Sequence, residues 1–220
     1  MTWYAHHLFA PGKPSVLQAL AEDSRLAPFL YHVPDVKGFQ WHKPEFAHDL
    51  GPHGLAVVRP IADPDEPLAQ WYQGPVLDWG SFGGEPGPCP DFPSADLQQV
   101  PPLGFLRFCE DLSQKLAEPL VYHSCFCWGG DVEFDAAWVF TPARRLYRRH
   151  ETLAETVMLK DASGREEQLA GDTLRRALAH LDVVLPTPYF APHTRGFSWD
   201  GYRIKAETGM GNPPWGESQN

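Results

Sequence analysis

Apolar residues between positions 101 and 117 recur with the period of an α-helix. Phe105, Phe108, Cys109, Leu112 and Leu116 form one stripe, and Arg107, Glu110, Asp111 and Lys115 lie on the other side. Spacings of three and four bring side chains to one helical face. The stripe therefore predicts a helix packed on a core and stopped by Glu118-Pro119. The period then changes to two. A run from Leu120 to Trp128 is followed, across Gly129-Gly130, by Val132, Phe134, Ala136, Trp138 and Phe140 alternating with Glu133, Asp135 and Ala137. A two-residue glycine link between such runs predicts a β-hairpin, because tight turns need the positive φ that glycine adopts freely.

The rest of the chain carries weaker signals of both kinds. Trp3 to Phe9 is rich in aromatic and β-prone residues and reads as a strand. After Pro14, Ser15 and Gln18 have the spacing of a capping box, which predicts a short helix with Leu17, Leu20 and Ala21 inward. Residues 29–60 read as two or three strands, clearest over 54–60. Residues 144–150 and 154–160 suggest two more, and Ala162-Ser163-Gly164-Arg165 suggests a turn into a short return strand. Asp172 is placed to cap a helix over 173–182 with Leu174, Ala177, Leu178 and Leu181 inward. A last strand is expected near 196–204, before an irregular tail over 205–220. Helices and strands do not alternate regularly enough for a doubly wound sheet. The order implies one α+β domain over 1–220: a mostly antiparallel sheet, two or three helices packed on one face, and long Pro/Gly-rich loops.

Composition adds weight to the loops. The 220 residues include 23 Pro and 19 Gly, and both favour irregular backbone. Residues 61–98 are rich in them, notably from Gly83 to Pro90, yet also carry Trp71, Tyr72, Trp79, Phe82 and Phe92. A loop of this length is usually functional or disordered, and disordered segments are poor in aromatics. It is expected to pack down or to present a recognition surface.

Charge separates the chain into two parts. The formal net charge is −10; residues 1–140 hold 7 Lys and Arg against 18 Asp and Glu, whereas residues 141–220 hold 11 against 10. An acidic field repels nucleic acid and anionic membrane and speeds encounter with basic partners. It also keeps a protein soluble whatever its function. No stretch reaches the roughly 18 apolar residues of a membrane helix. Met1 to His7 lacks the basic-then-apolar pattern of a signal peptide, and four cysteines make no disulfide framework. A cytoplasmic protein with reduced thiols is expected. Two Asn, two Ile and a preference for Arg over Lys suggest a GC-rich bacterial genome.

The motifs of common chemistries are missing: the phosphate-binding glycine loops, G-x-S-x-G and H-E-x-x-H. His123, Cys125 and Cys127, two apart on a strand, share one face, and their donors suit zinc. Without C-x-x-C pairs they read instead as small buried residues of a central strand, so no metal and no cofactor are expected. Glu133 and Asp135 also share a face by alternation. Neighbouring carboxylates can divide acid and base roles, but such a face is more often solvated or bound to arginine. Arg144, Arg145, Arg148 and Arg149 are the natural partners if the next strand returns alongside. The same run, with Tyr147 and His150, is a small basic patch on an acidic molecule, and nucleic-acid binding is not expected.

The segment from Leu120 to Phe140 combines an aromatic strand, Trp128-Gly129-Gly130-Asp131 and an acidic–aromatic strand. It resembles a hairpin of certain small, single-domain bacterial proteins, some of them immunity proteins of toxin–immunity pairs. The resemblance covers about a tenth of the chain. It implies an intracellular protein that binds and blocks a cognate toxin, with no cofactor and no catalytic residues of its own. A basic protein partner agrees with the acidic first two-thirds and with the aromatic loop, since Trp and Tyr are frequent interface anchors. The expected contacts are Asp63, Asp65, Glu66, Trp71, Tyr72, Trp79, Glu133 and Asp135. Two other readings stay open. One is a hydrolase or metal-dependent enzyme built on His123, Cys125, Cys127 and nearby carboxylates such as Asp131 or Glu133, which requires those groups to converge in a pocket. The other is a scaffolding protein, which requires a self-complementary apolar patch.

Overall fold

The computed structural model describes residues 3–35, 48–59, 77–83, 89–93, 100–128, 131–153, 155–186, 190, 197 and 199–204. The hairpin anticipated from the two apolar runs forms: β4 (Leu120–Trp128) and β5 (Asp131–Phe140) pair antiparallel, with Trp128 opposite Asp131. Short links then add β6 (Arg145–Arg149), β7 (Thr156–Lys160) and β8 (Glu166–Ala170) as a meander. On the other side, β4 pairs with β1 (Trp3–Pro11), and β1 with β3 (Leu55–Val58) and then β2 (Leu30–Val33). Among the described residues the result is one antiparallel sheet of eight strands in the order β2-β3-β1-β4-β5-β6-β7-β8, with three α-helices, an α+β architecture.

The helices divide between the two faces of the sheet instead of sharing one. Leu8 and Ala10 of β1 join a core with Val16, Leu17 and Leu20 of α1 (Pro14–Glu22) and Phe105, Leu106 and Cys109 of α2 (Leu103–Leu116). Phe9, between them, joins a second core with Leu174, Ala177 and Leu178 of α3 (Thr173–Leu178). Successive strand residues point to opposite faces, so the central strands are covered on both. The unbroken apolar run Ala136–Phe140 is the sequence counterpart of this two-sided burial. Each fully buried large side chain contributes about 1.5–3 kcal/mol.

Local chemistry sets the helix ends. Asp172 caps α3 as expected, its carboxylate accepting from the Arg175 N–H at 2.9 Å. The capping box at Ser15 does not form. Pro14 already occupies the first helical turn and Lys13 stands at the cap with its side chain bonded to Glu118 and not to the helix, so Ser15 lies inside the helix and exposed. α2 ends at Ala117, which takes a left-handed conformation just ahead of Pro119. Ser113 Oγ of α2 reaches the carbonyls of Glu118 at 2.7 Å and Phe140 at 2.9 Å, tying the helix to β5. The strand expected near 196–204 is instead a short 3₁₀ turn at Trp199–Tyr202, followed by a bridge from Arg203 to Tyr31 on the outer edge of β2.

Two pieces of the 61–98 loop are described, and both pack down. Trp79 lies edge-on to Phe105 at 4.9 Å, and the Arg25 guanidinium covers Phe82 and Phe108 at 4.5 Å from each ring. A Cβ at Gly104 would stand 1.9 Å from the Gly83 carbonyl oxygen, so only glycine lets this loop touch the start of α2. Further along, Phe92 packs against Phe134 and Trp138, and Asp91 accepts from Trp138 Nε1 at 3.1 Å and from Lys160 at 3.0 Å. The tail over 205–220 lies outside the described residues. Among the described residues no helix is long and apolar enough to cross a membrane.

Candidate functional site

The most concentrated chemistry lies on the face of β4 and β5 that α3 covers. A plain hairpin with a two-residue link pairs Trp128 with Asp131, and continuing that register would set Asp135 opposite Ser124. The observed register shifts between Cys127, opposite Val132, and Phe126, opposite Phe134. Glu133 is the extra residue of this β-bulge. Beyond it every residue of β5 is displaced by one, and Asp135 stands opposite Cys125. A bulge of this kind re-aims side chains. Here it moves a carboxylate from the Ser124 face to the face of His123 and Cys125.

His123 Nε2 and Asp135 Oδ1 are consequently 2.8 Å apart. One donor atom from each of His123, Cys125 and Asp135 lies within 4.8 Å of the others. His123 is 2% exposed, Cys125 5%, and the Asp135 side chain 17%. His7 of β1 stands opposite His123 and packs against Phe9 and Trp199. Cys127, next along the same face, is buried opposite Val132 and is not part of the three-donor group. Burial, then the Asp135 carboxylate, push the Cys125 thiol well above its ordinary range, with Cys127 adding and Arg149 opposing. As a free side chain Cys125 stays a neutral thiol, which is a poor nucleophile.

Beside this group the register gathers acidic side chains at one end of the sheet. Asp131 and Glu133 begin β5, and Glu151 and Glu155 lie in the link from β6 to β7; all four are exposed. The neighbouring arginines are turned to internal partners. Arg149 donates to the Val132 carbonyl at 2.9 Å, and Arg148 pairs with Glu166 at 3.1 Å. A surface cavity of about 670 Å³ opens here, lined among others by Phe92, Glu133, Asp135, Arg148 and Glu151.

The expected contact residues separate accordingly. Asp63, Asp65, Glu66, Trp71 and Tyr72 lie outside the described residues. Trp79 is half-buried and packed on α2, where it adds little to an outer surface. Glu133 is exposed on the bulge, while Asp135 is engaged with His123. Glu133 and Asp135 therefore do not act as a carboxylate pair. Alternation placed His123, Cys125 and Asp135 correctly on their strands but could not bring them together, because the bulge that does so leaves no mark in the sequence.

The opposite face of the same strands holds a different polar group. His6 Nδ1 lies 3.2 Å from the Tyr122 hydroxyl and 3.3 Å from Ser124 Oγ, and all three residues are buried. With no solvent route to Ser124, this is an internal hydrogen-bond network. Compared with known proteins, the chain matches no protein-family model, no curated protein and no solved structure.

Proposed function

We propose that this chain is a non-catalytic binding protein of the immunity type, which recognises a basic protein toxin and blocks it. The observation that supports this most directly is the acidic end of the sheet. Asp131, Glu133, Glu151 and Glu155 are all exposed there; Glu133 and Glu151 line the cavity, as do Arg148 and Arg149, which are held by partners within the chain. The four exposed carboxylates outnumber these two guanidiniums, so this end of the sheet is net acidic. Such a patch steers a basic partner and disfavours nucleic acid and anionic lipid. The resemblance of the 120–140 hairpin to immunity proteins concerns the same end of the sheet. The buried, neutral Cys125 thiol argues against thiol catalysis at the neighbouring group.

A second reading has one observation in its favour. The 2.8 Å contact between His123 and Asp135 has the geometry of a general base held by its orienting carboxylate. Against it, the imidazole is 2% exposed and a substrate would need an opening to reach it.

The test is capture of a basic protein from the native host by the tagged chain, followed by expression of that protein alone and together with this chain. Support requires a stoichiometric complex that weakens as salt rises, and growth arrest by the partner that co-expression relieves. Reversing the charge of Asp131, Glu133, Glu151 and Glu155 together should weaken the complex by at least about tenfold, about 1.4 kcal/mol. An unchanged affinity would sink the proposed surface.

A further inference from the structure

We propose that His123, Cys125 and Asp135 form a binding site for a zinc-class divalent metal ion, with one coordination position left to water on the side where Asp135 meets the cavity. The site goes beyond the immunity-type reading and does not depend on it.

The donors are an imidazole nitrogen, a sulfur and a carboxylate oxygen, a set that suits zinc and its borderline-soft neighbours and not magnesium or calcium. Their spacing fits. Bonds of about 2.0–2.3 Å make the edge of a tetrahedron roughly 3.3–3.8 Å. The three donor atoms lie within 4.8 Å of one another, and His123 Nε2 and Asp135 Oδ1 are 2.8 Å apart. Moving from one arrangement to the other takes shifts of about 1 Å, with an ion replacing the proton that now bridges Nε2 and Oδ1. The scaffold is rigid, since Cys125 and Asp135 are register partners on two hydrogen-bonded strands and His123 is two residues from Cys125 on the same face.

The β-bulge is the independent observation. Regular pairing from Trp128 and Asp131 would have left Asp135 facing away from His123 and Cys125. The sheet gives up its register at one residue, Glu133, and the result is this convergence. Bulges concentrate where a strand must deliver a side chain to a site. A dipositive ion would balance the Asp135 carboxylate and a bound thiolate in a place with little water.

The full chain, stripped with a chelator and titrated with Co²⁺, is expected to bind one equivalent. It should develop tetrahedral visible bands and a sulfur-to-cobalt charge-transfer band, both displaced by Zn²⁺. Cys125→Ser should lose the charge-transfer band, whereas Cys127→Ser and Cys109→Ser keep it. Asp135→Asn should weaken binding by more than the roughly 10–100-fold typical of losing a group that only supports a ligand. Folded wild-type protein that takes up no cobalt overturns the site, and so does a charge-transfer band that survives in Cys125→Ser. If the variants fail to fold, X-ray absorption on zinc-loaded wild type decides. One sulfur at about 2.3 Å with nitrogen and oxygen at about 2.0 Å is expected. A shell with no sulfur, or with two, overturns the assignment.

Discussion

β5 and β8 belong to one sheet and stand three strands apart, yet they meet opposite surroundings. From Ala136 to Phe140 every residue of β5 is fully buried, with α2 on one face and α3 on the other. On β8 only Leu169 is even half-buried, and among the described residues no further strand flanks its outer side. The two edges of the sheet differ as well. β2 receives Arg203 and Ile204 along its outer side, with the Ile204 N–H donating to the Leu30 carbonyl at 3.1 Å. Burial falls off gradually along the sheet: β6 and β7 still place Leu146, Tyr147 and Val157 in the two cores, and only β8 is left largely exposed.

The contrast is broken most severely at Trp138. Its ring is fully buried and its indole N–H is held by Asp91. Trp138→Ala should lower stability by about 3–5 kcal/mol in urea unfolding. Gln168→Ala on β8 should stay within about 0.5 kcal/mol of wild type. Equal losses at both positions would show that β8 is as integral as the centre. Next in size is Gly104→Ala, whose Cβ would strike the Gly83 carbonyl. A loss of about 1–3 kcal/mol is expected, read as a lower thermal midpoint. Asp135→Ala should cost about 1–3 kcal/mol, because it takes the partner of Nε2 from a buried imidazole.

A pH-dependent effect comes next. Burial, and then the charge of Arg145, hold the His180 imidazole below its ordinary value, where its Nε2 meets the Tyr147 hydroxyl at 2.9 Å. Lowering the folded-state value means that the unfolded chain takes up the proton first. This contribution to stability is complete above about pH 6.5 and is lost as pH falls below it. Urea midpoints at pH 7 and pH 5 should show the loss, and His180→Gln should reduce it. A difference between the two midpoints that is unaltered in His180→Gln would rule this origin out. The smallest effect is expected at Glu166→Ala, which frees Arg148 at an exposed pair and should cost at most about 0.5 kcal/mol.

The sequence was informative where one period ran without interruption. α2, α3 and the β4–β5 hairpin follow from the stripe on Phe105–Leu116, the cap at Asp172 and the alternation around Gly129-Gly130. Local signals misled where a competing preference won, as when Pro14 displaced the cap expected at Ser15. The placing of helices on both faces was harder to see. Ala137 read as part of the polar side of an alternating strand, although it is buried. The run from Ala136 to Phe140 was the available clue. The site was legible as a list of residues and not as a constellation. His123 and Cys125 were recognised on one strand and Asp135 on the next, but their meeting depends on one unpaired residue in the ladder, a property of the pairing that neither strand encodes alone.

The strand order also sets a timetable for folding. β4 to β8 pair with neighbours in the chain, so their contacts close over short loops and can form quickly. β1 lies beside β4 with Trp3 opposite Cys127, across more than half of the polypeptide. Closing so long a loop is slow, and during synthesis β1 is made well before the β4 strand that pairs with it. Leu8 and Phe9 can meet α1 and β3 early, but the core that Phe9 joins also waits for α3. The β1–β4 seam therefore joins two halves of the sheet that can each form over shorter loops.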